Sequence, residues 1–155
     1  MELRFMEAAI QHALKSVKKN MGGPFGAVIV RHGEILSLAS NEVTSLNDPT
    51  AHAEILAIRK ACQQLQTFQL TDCELYTTCE PCPMCLGAIY WARLKNIYYA
   101  STREDAAKAG FDDEFLYREL LVPLEKRSIP INQMMREEAG ELFRLWNKKE
   151  DKIRY

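Results

Sequence analysis

The chain has 155 residues, 47% of them hydrophobic and 26% charged, a balance that supports one globular domain spanning 1–155 rather than two. Lys and Arg number 20 against 21 Asp and Glu, a formal net charge of −1, which argues against a binder of bulk nucleic acid or of an anionic membrane. Five cysteines, an odd number, fit a reducing cytosol better than a secreted disulfide framework, and a domain of this size buries about 70% of its unfolded surface without a metal or disulfide to hold it together.

The first element expected is a helix within residues 1–20, where Leu3, Met6, Ile10, Ala13 or Leu14, and Val17 recur at three-to-four spacing. Glu2, Arg4 and Glu7 interrupt this segment, whereas a secretory signal needs an apolar core of about 7–15 residues and a membrane span about 20. It therefore reads as a packing helix of a cytoplasmic protein. Gly22-Gly23 ends the helix, and Phe25 to Val30 then reads as a strand whose run Ala27-Val28-Ile29-Val30 implies burial on both faces. His32-Gly33 makes a tight hairpin into a second strand, Glu34 to Ala39. Asn47-Asp48-Pro49-Thr50 supplies capping and first-turn chemistry for a helix from His52 to Gln66. There follow a strand at Cys73 to Thr77, a helix from Pro83 to about Ala92, a strand at Asn96 to Ala100 and a helix at Glu114 to Leu121. A strand near Ile131 to Met135 and a helix near Glu138 to Lys148 complete the chain. This order predicts an α/β fold, a three-layer α/β/α sandwich around a five-stranded mixed sheet that opens with a hairpin and continues through right-handed parallel crossovers.

Two short segments concentrate the chemistry. His52-Ala53-Glu54 opens one helix, and Pro81-Cys82-Pro83-Met84-Cys85 opens the next. Imidazole and two thiolates are good zinc ligands, and three protein ligands leave the fourth tetrahedral position to water, as in a catalytic site. Proline suits the first helical position, which makes Cys82 the N-cap and puts Cys85 in the first turn, where the helix dipole and free amides favour thiolate. Residues two apart point away from each other on a regular helix, so His52 and Glu54 share a site only if His52 lies at the irregular helix entry. Glu54 is then free to take a proton from zinc-bound water and pass it to a leaving amine. Cys79-x-x-Cys82 repeats the spacing of Cys82-x-x-Cys85. Cys79 precedes the helix and is placed outside the ligand set, although the spacing alone leaves a four-ligand structural site open.

His52-x-Glu54 followed by Pro81-Cys82-x-x-Cys85 matches the zinc-deaminase motif. On these residues, with Gly22 to Ala27, Asn41, Asn47 to Glu54, Cys79 to Ala92 and Ala109 to Asp113, the chain resembles the cytidine deaminase-like superfamily, and more closely its small bacterial guanine deaminases. The resemblance is loose between residues 120 and 154. It implies one zinc per chain held by His52, Cys82 and Cys85, with attack of the zinc-activated water on C2 of guanine, Glu54 shuttling the proton, and xanthine and ammonia as products. It further implies a small-molecule purine base as partner, with Asp113 accepting from N1–H and the 2-amino group, Asn41 reading another purine edge, and Phe25 stacking on the ring. By the same resemblance the molecule is a homodimer in which the C-terminal segment, about 136–155, crosses to the other subunit, where Tyr155 closes the pocket.

Blander readings stand beside these. Asn41 also suits a turn, Asp113 also suits the cap of the following helix, and Tyr155 sits at a chain end. Cys62 and Cys73 read as small buried hydrophobes. The rival functions are a tRNA-specific adenosine deaminase, a deaminase of another free base such as cytosine, and a zinc-stabilised interaction domain. A tRNA substrate calls for many phosphate contacts, which a chain with no basic surplus serves poorly.

Overall fold

Strand β1 (Gly26–Arg31) pairs antiparallel with β2 (Glu34–Ser40) on one side and with β3 (Cys73–Cys79) on the other, and β3 pairs parallel with β4 (Asn96–Ser101). This is the arrangement in a computed structural model that describes residues 2–155. The chain divides into two units, one ending at Asp113 and one running from Glu114 to Tyr155. The β1–β2 turn places His32 and Gly33 at φ of 53° and 78°, the doubly left-handed geometry whose twist matches a two-residue hairpin. β1 is buried on both faces, as its apolar run predicts.

Among the described residues the sheet has four strands in the order β2-β1-β3-β4, not five. The strand expected near Ile131 to Met135 does not form. That segment follows Pro130, has no ladder partner among the described residues, exposes Ile131, Met134 and Met135, and ends on a left-handed Met135. An apolar run without a partner edge leaves its backbone groups to solvent, so propensity alone does not make it a strand. The succession of parallel crossovers is also corrected, because only β3 and β4 run parallel and β3 enters antiparallel to β1.

Alternation along the strands sorts the core into two layers. Val28, Val30 and Tyr76 pack against Phe5 and Ala9 of helix α1 (Leu3–Lys18). The turn α2 (Val43–Leu46) lies in the next connection, and on the opposite face Ala27, Ile29 and Leu75 pack against α3 (Ala53–Leu65) and α4 (Pro83–Ala92). The three layers expected are therefore present. The buried stripe of α1, however, is Phe5, Ala9, Ala13 and Ser16, while Leu3, Ile10, Leu14 and Val17 are exposed. Close approach explains the choice at the middle of the helix: a Cβ at Gly26 would lie 2.4 Å from the Ala9 carbonyl oxygen and 3.1 Å from the Ala13 Cβ, so only small side chains fit where α1 passes Gly26.

The first unit ends with α5 (Arg103–Lys108), set by a capping box in which Thr102 Oγ1 accepts from the Asp105 amide and the Asp105 carboxylate accepts from the Thr102 amide. The second unit contains α6 (Glu114–Leu121), a 3-10 turn at Leu124–Lys126 and α7 (Arg136–Lys148). Among the described residues no helix is long and apolar enough to cross a membrane.

Candidate active site

Helix α3 begins beyond the carboxyl end of β2, and α4 directly beyond that of β3. His52 and Cys82 are their N-caps, both with extended backbone (φ −70°, ψ 152° and φ −63°, ψ 167°). Because His52 stands before the first helical residue, it escapes the opposition of positions two apart, and both His52 and Glu54 reach one cavity. Pro83 at the start of α4 brings no amide that would need a partner and turns the chain so that Cys85 falls in the first turn.

His52 Nδ1 lies 3.4 Å from Cys85 Sγ and 3.6 Å from Cys82 Sγ. The ligand atoms of these three residues all fall within 4.8 Å of one another. The donor set fits zinc: one imidazole and two sulfurs, presented at two helix N-termini. A hydrogen bond with Cys85, helped by the ring of His52, pulls the Cys82 thiol down to about 4 against the effect of burial. The same hydrogen bond pushes Cys85 up, and His52 is raised chiefly by its hydrogen bond to Cys82. Cys79 stands apart from the three. Its Sγ donates to the Thr102 carbonyl at 3.5 Å, and burial raises its thiol to about 11.

Glu54 is 6% exposed, and burial raises its carboxyl. Oε1 accepts from Thr77 Oγ1 at 3.1 Å and Oε2 accepts from Cys85 Sγ at 3.5 Å, so the carboxylate lies directly beside the sulfur cluster. A buried carboxyl with a raised pKa next to a metal-ligand group is the arrangement of a proton carrier.

The cavity over this cluster measures about 360 Å³, within the range of small-molecule sites. Phe25, Asn41 and Asp113 line it, together with Phe111, Glu80 and Arg103. Asn41 is buried, and its Oδ1 accepts from the backbone amides of Gly23 at 3.1 Å and Val43 at 3.2 Å. Its carbonyl is thereby occupied, and the amide nitrogen is the group left for a ligand, so this residue presents a donor and not the donor-acceptor pair its amide offers in principle. Gly22 permits the arrangement, since a Cβ there would lie 2.2 Å from the Asn41 backbone oxygen. Phe25 meets Phe111 edge to face, with centroids 4.9 Å apart and planes at 85°. Asp113 is half-buried, and desolvation raises its carboxyl. Tyr155 lies exposed at the end of the second unit.

Sequence reasoning missed Thr77 and Phe111. A threonine amid the apolar positions of β3 is the signal for the first; nothing beyond membership of the Gly110-Phe111-Asp112-Asp113 run points to the second.

A fold with three layers and a His-Cys-Cys cluster at two helix starts defines a zinc-dependent deaminase domain. The family model for the cytidine and deoxycytidylate deaminase zinc-binding region matches residues 1–101, and the chain belongs to this family. Within it, the chain is 55% identical over 150 residues to the guanine deaminase of Bacillus subtilis (strain 168), covering 94% of this chain and 96% of that one. The X-ray structure of guanine deaminase from Bacillus subtilis matches with a TM-score of 0.97 at 52% identity, over 100% of this chain and 99% of that one. The tRNA-specific adenosine deaminase of Aquifex aeolicus is 45% identical over 97 residues, 63% of this chain and 64% of that protein.

Proposed function

We infer that this protein hydrolyses guanine to xanthine and ammonia. The observation that carries the reading is the near-full-length likeness to the Bacillus subtilis guanine deaminase, which extends through both units, whereas the likeness to the Aquifex aeolicus tRNA-specific adenosine deaminase covers less of the chain at lower identity. His52, Cys82 and Cys85 would hold one zinc per chain. When bound, zinc supplies Lewis acidity that brings the pKa of water down to about 7. Glu54 takes the proton of the water that adds to C2 of guanine and delivers it to the ring nitrogen, then takes the proton of the new C2 hydroxyl and gives it to the amine as the C2–N bond breaks and the C2 carbonyl forms. Amides at the start of α4 favour the negative charge that develops.

The base lies against Phe25. Asp113 accepts from N1–H and the 2-amino group, a pair that adenine, with an acceptor at N1, does not offer, and the Asn41 amide nitrogen donates to an acceptor on another edge. The molecule works in the cytoplasm as a homodimer in which residues 136–155 cross to the other subunit and Tyr155 closes its cavity. The exposed Leu142, Phe143 and Leu145 of α7 support this, because three large apolar side chains left to solvent on one helix suit a partner surface. The test is ammonia release by purified protein from guanine, adenine, cytosine, guanosine and tRNA. Release from guanine above all others is expected; silence on guanine with activity on tRNA would replace the reading by its rival.

A further inference from the structure

Thr77 is fully buried in β3, and its backbone is paired on both sides, with Ala27 of β1 and with Tyr99 of β4. It is thus anchored in an interior strand of the sheet, and β-branching restricts its χ1 further. The hydroxyl of this rigid residue donates to Glu54 Oε1 at 3.1 Å. Glu54 comes from α3, with three side-chain torsions between backbone and carboxylate. Its other oxygen receives the Cys85 thiol at 3.5 Å, but a cysteine that binds metal does so as thiolate and has no proton to give. The Thr77 hydroxyl is then the side-chain donor that stays, beside Glu54's own backbone amide.

We propose that Thr77 is a positioning residue for Glu54: its hydroxyl holds Oε1 against the sheet and so keeps Oε2 turned toward the His52-Cys82-Cys85 cluster, where protons are taken up and handed on. This rests on the deaminase reading of the site and goes beyond it, since no contact between Thr77 and a substrate is required. If Thr77 served packing alone, valine would fill its place without loss.

Thr77→Val keeps the shape and removes the donor, while Thr77→Ser keeps the donor and removes a methyl. Ammonia release from guanine is measured for both beside the unaltered protein, with zinc content determined for each. The valine variant is expected to lose about 10–100-fold in kcat with KM within about twofold and zinc retained, and the serine variant to keep kcat within about threefold. A valine variant as fast as the parent, or a serine variant as slow as the valine one, overturns the proposal, because the hydroxyl is then not what matters. A crystal structure of Thr77→Val supplies a readout independent of activity. A carboxylate of Glu54 rotated away from β3 supports the role, and one left in place overturns it. An unaltered protein inactive on guanine would reject the guanine reading instead, and the crystal structure would still judge Thr77.

Discussion

Glu54 combines three properties at one position: burial, a hydrogen bond from the sheet, and a second oxygen beside Cys85. Burial disfavours the charged form, which suits a group that must hold a proton and then release it. Glu54→Gln keeps the volume and one acceptor oxygen but cannot carry the proton. It is expected to retain zinc, measured by metal analysis, while turnover falls by at least about 100-fold; near-normal ammonia release from that variant would remove Glu54 from the mechanism. His52-x-Glu54 and Cys82-x-x-Cys85 were legible in the chain because local spacing at a helix start places them. The locked carbonyl of Asn41 was not, because the amides that hold it belong to Gly23 and Val43, and which side of the amide they take depends on how two loops meet.

Elements show the same division. The helix at Pro83–Ala92 begins where proline at the first turn says it should, and the His32-Gly33 hairpin turns where it is expected to. Helix α5 lies outside the elements expected from the sequence, although Thr102-x-x-Asp105 is a readable capping box. The buried face of α1 could not be read from hydrophobic spacing, because where the helix passes Gly26 the sheet admits only small side chains, Ala9 and Ala13. Gly26 is the other half of that contact. Gly26→Ala is expected to destabilise the fold by about 1–3 kcal/mol, measured by urea denaturation, since the added Cβ collides with backbone that cannot swing aside. A stability within experimental error of the parent would show that α1 is free to shift outward.

At the scale of the molecule, a metal that binds the folded state and not the unfolded one stabilises by mass action. Free zinc at about 1,000 times its dissociation constant contributes about 4 kcal/mol. Removal of zinc by a chelator is therefore expected to abolish ammonia release and lower Tm, and zinc readdition to restore both; full activity in protein shown by metal analysis to be zinc-free would exclude a zinc-dependent reaction. The amino-acid sequence by itself determined the three layers, the hairpin, the two helix starts and the His-Cys-Cys and glutamate chemistry they present, because turn residues, caps and short spacings act within a few residues of themselves. Only the tertiary structure decided the number of strands, the face on which α1 packs, the donor that Asn41 offers and the bond from Thr77 to Glu54. Each of these depends on partners far apart in the chain, and a backbone edge, a close approach or a hydrogen bond exists only once both sides have been brought together.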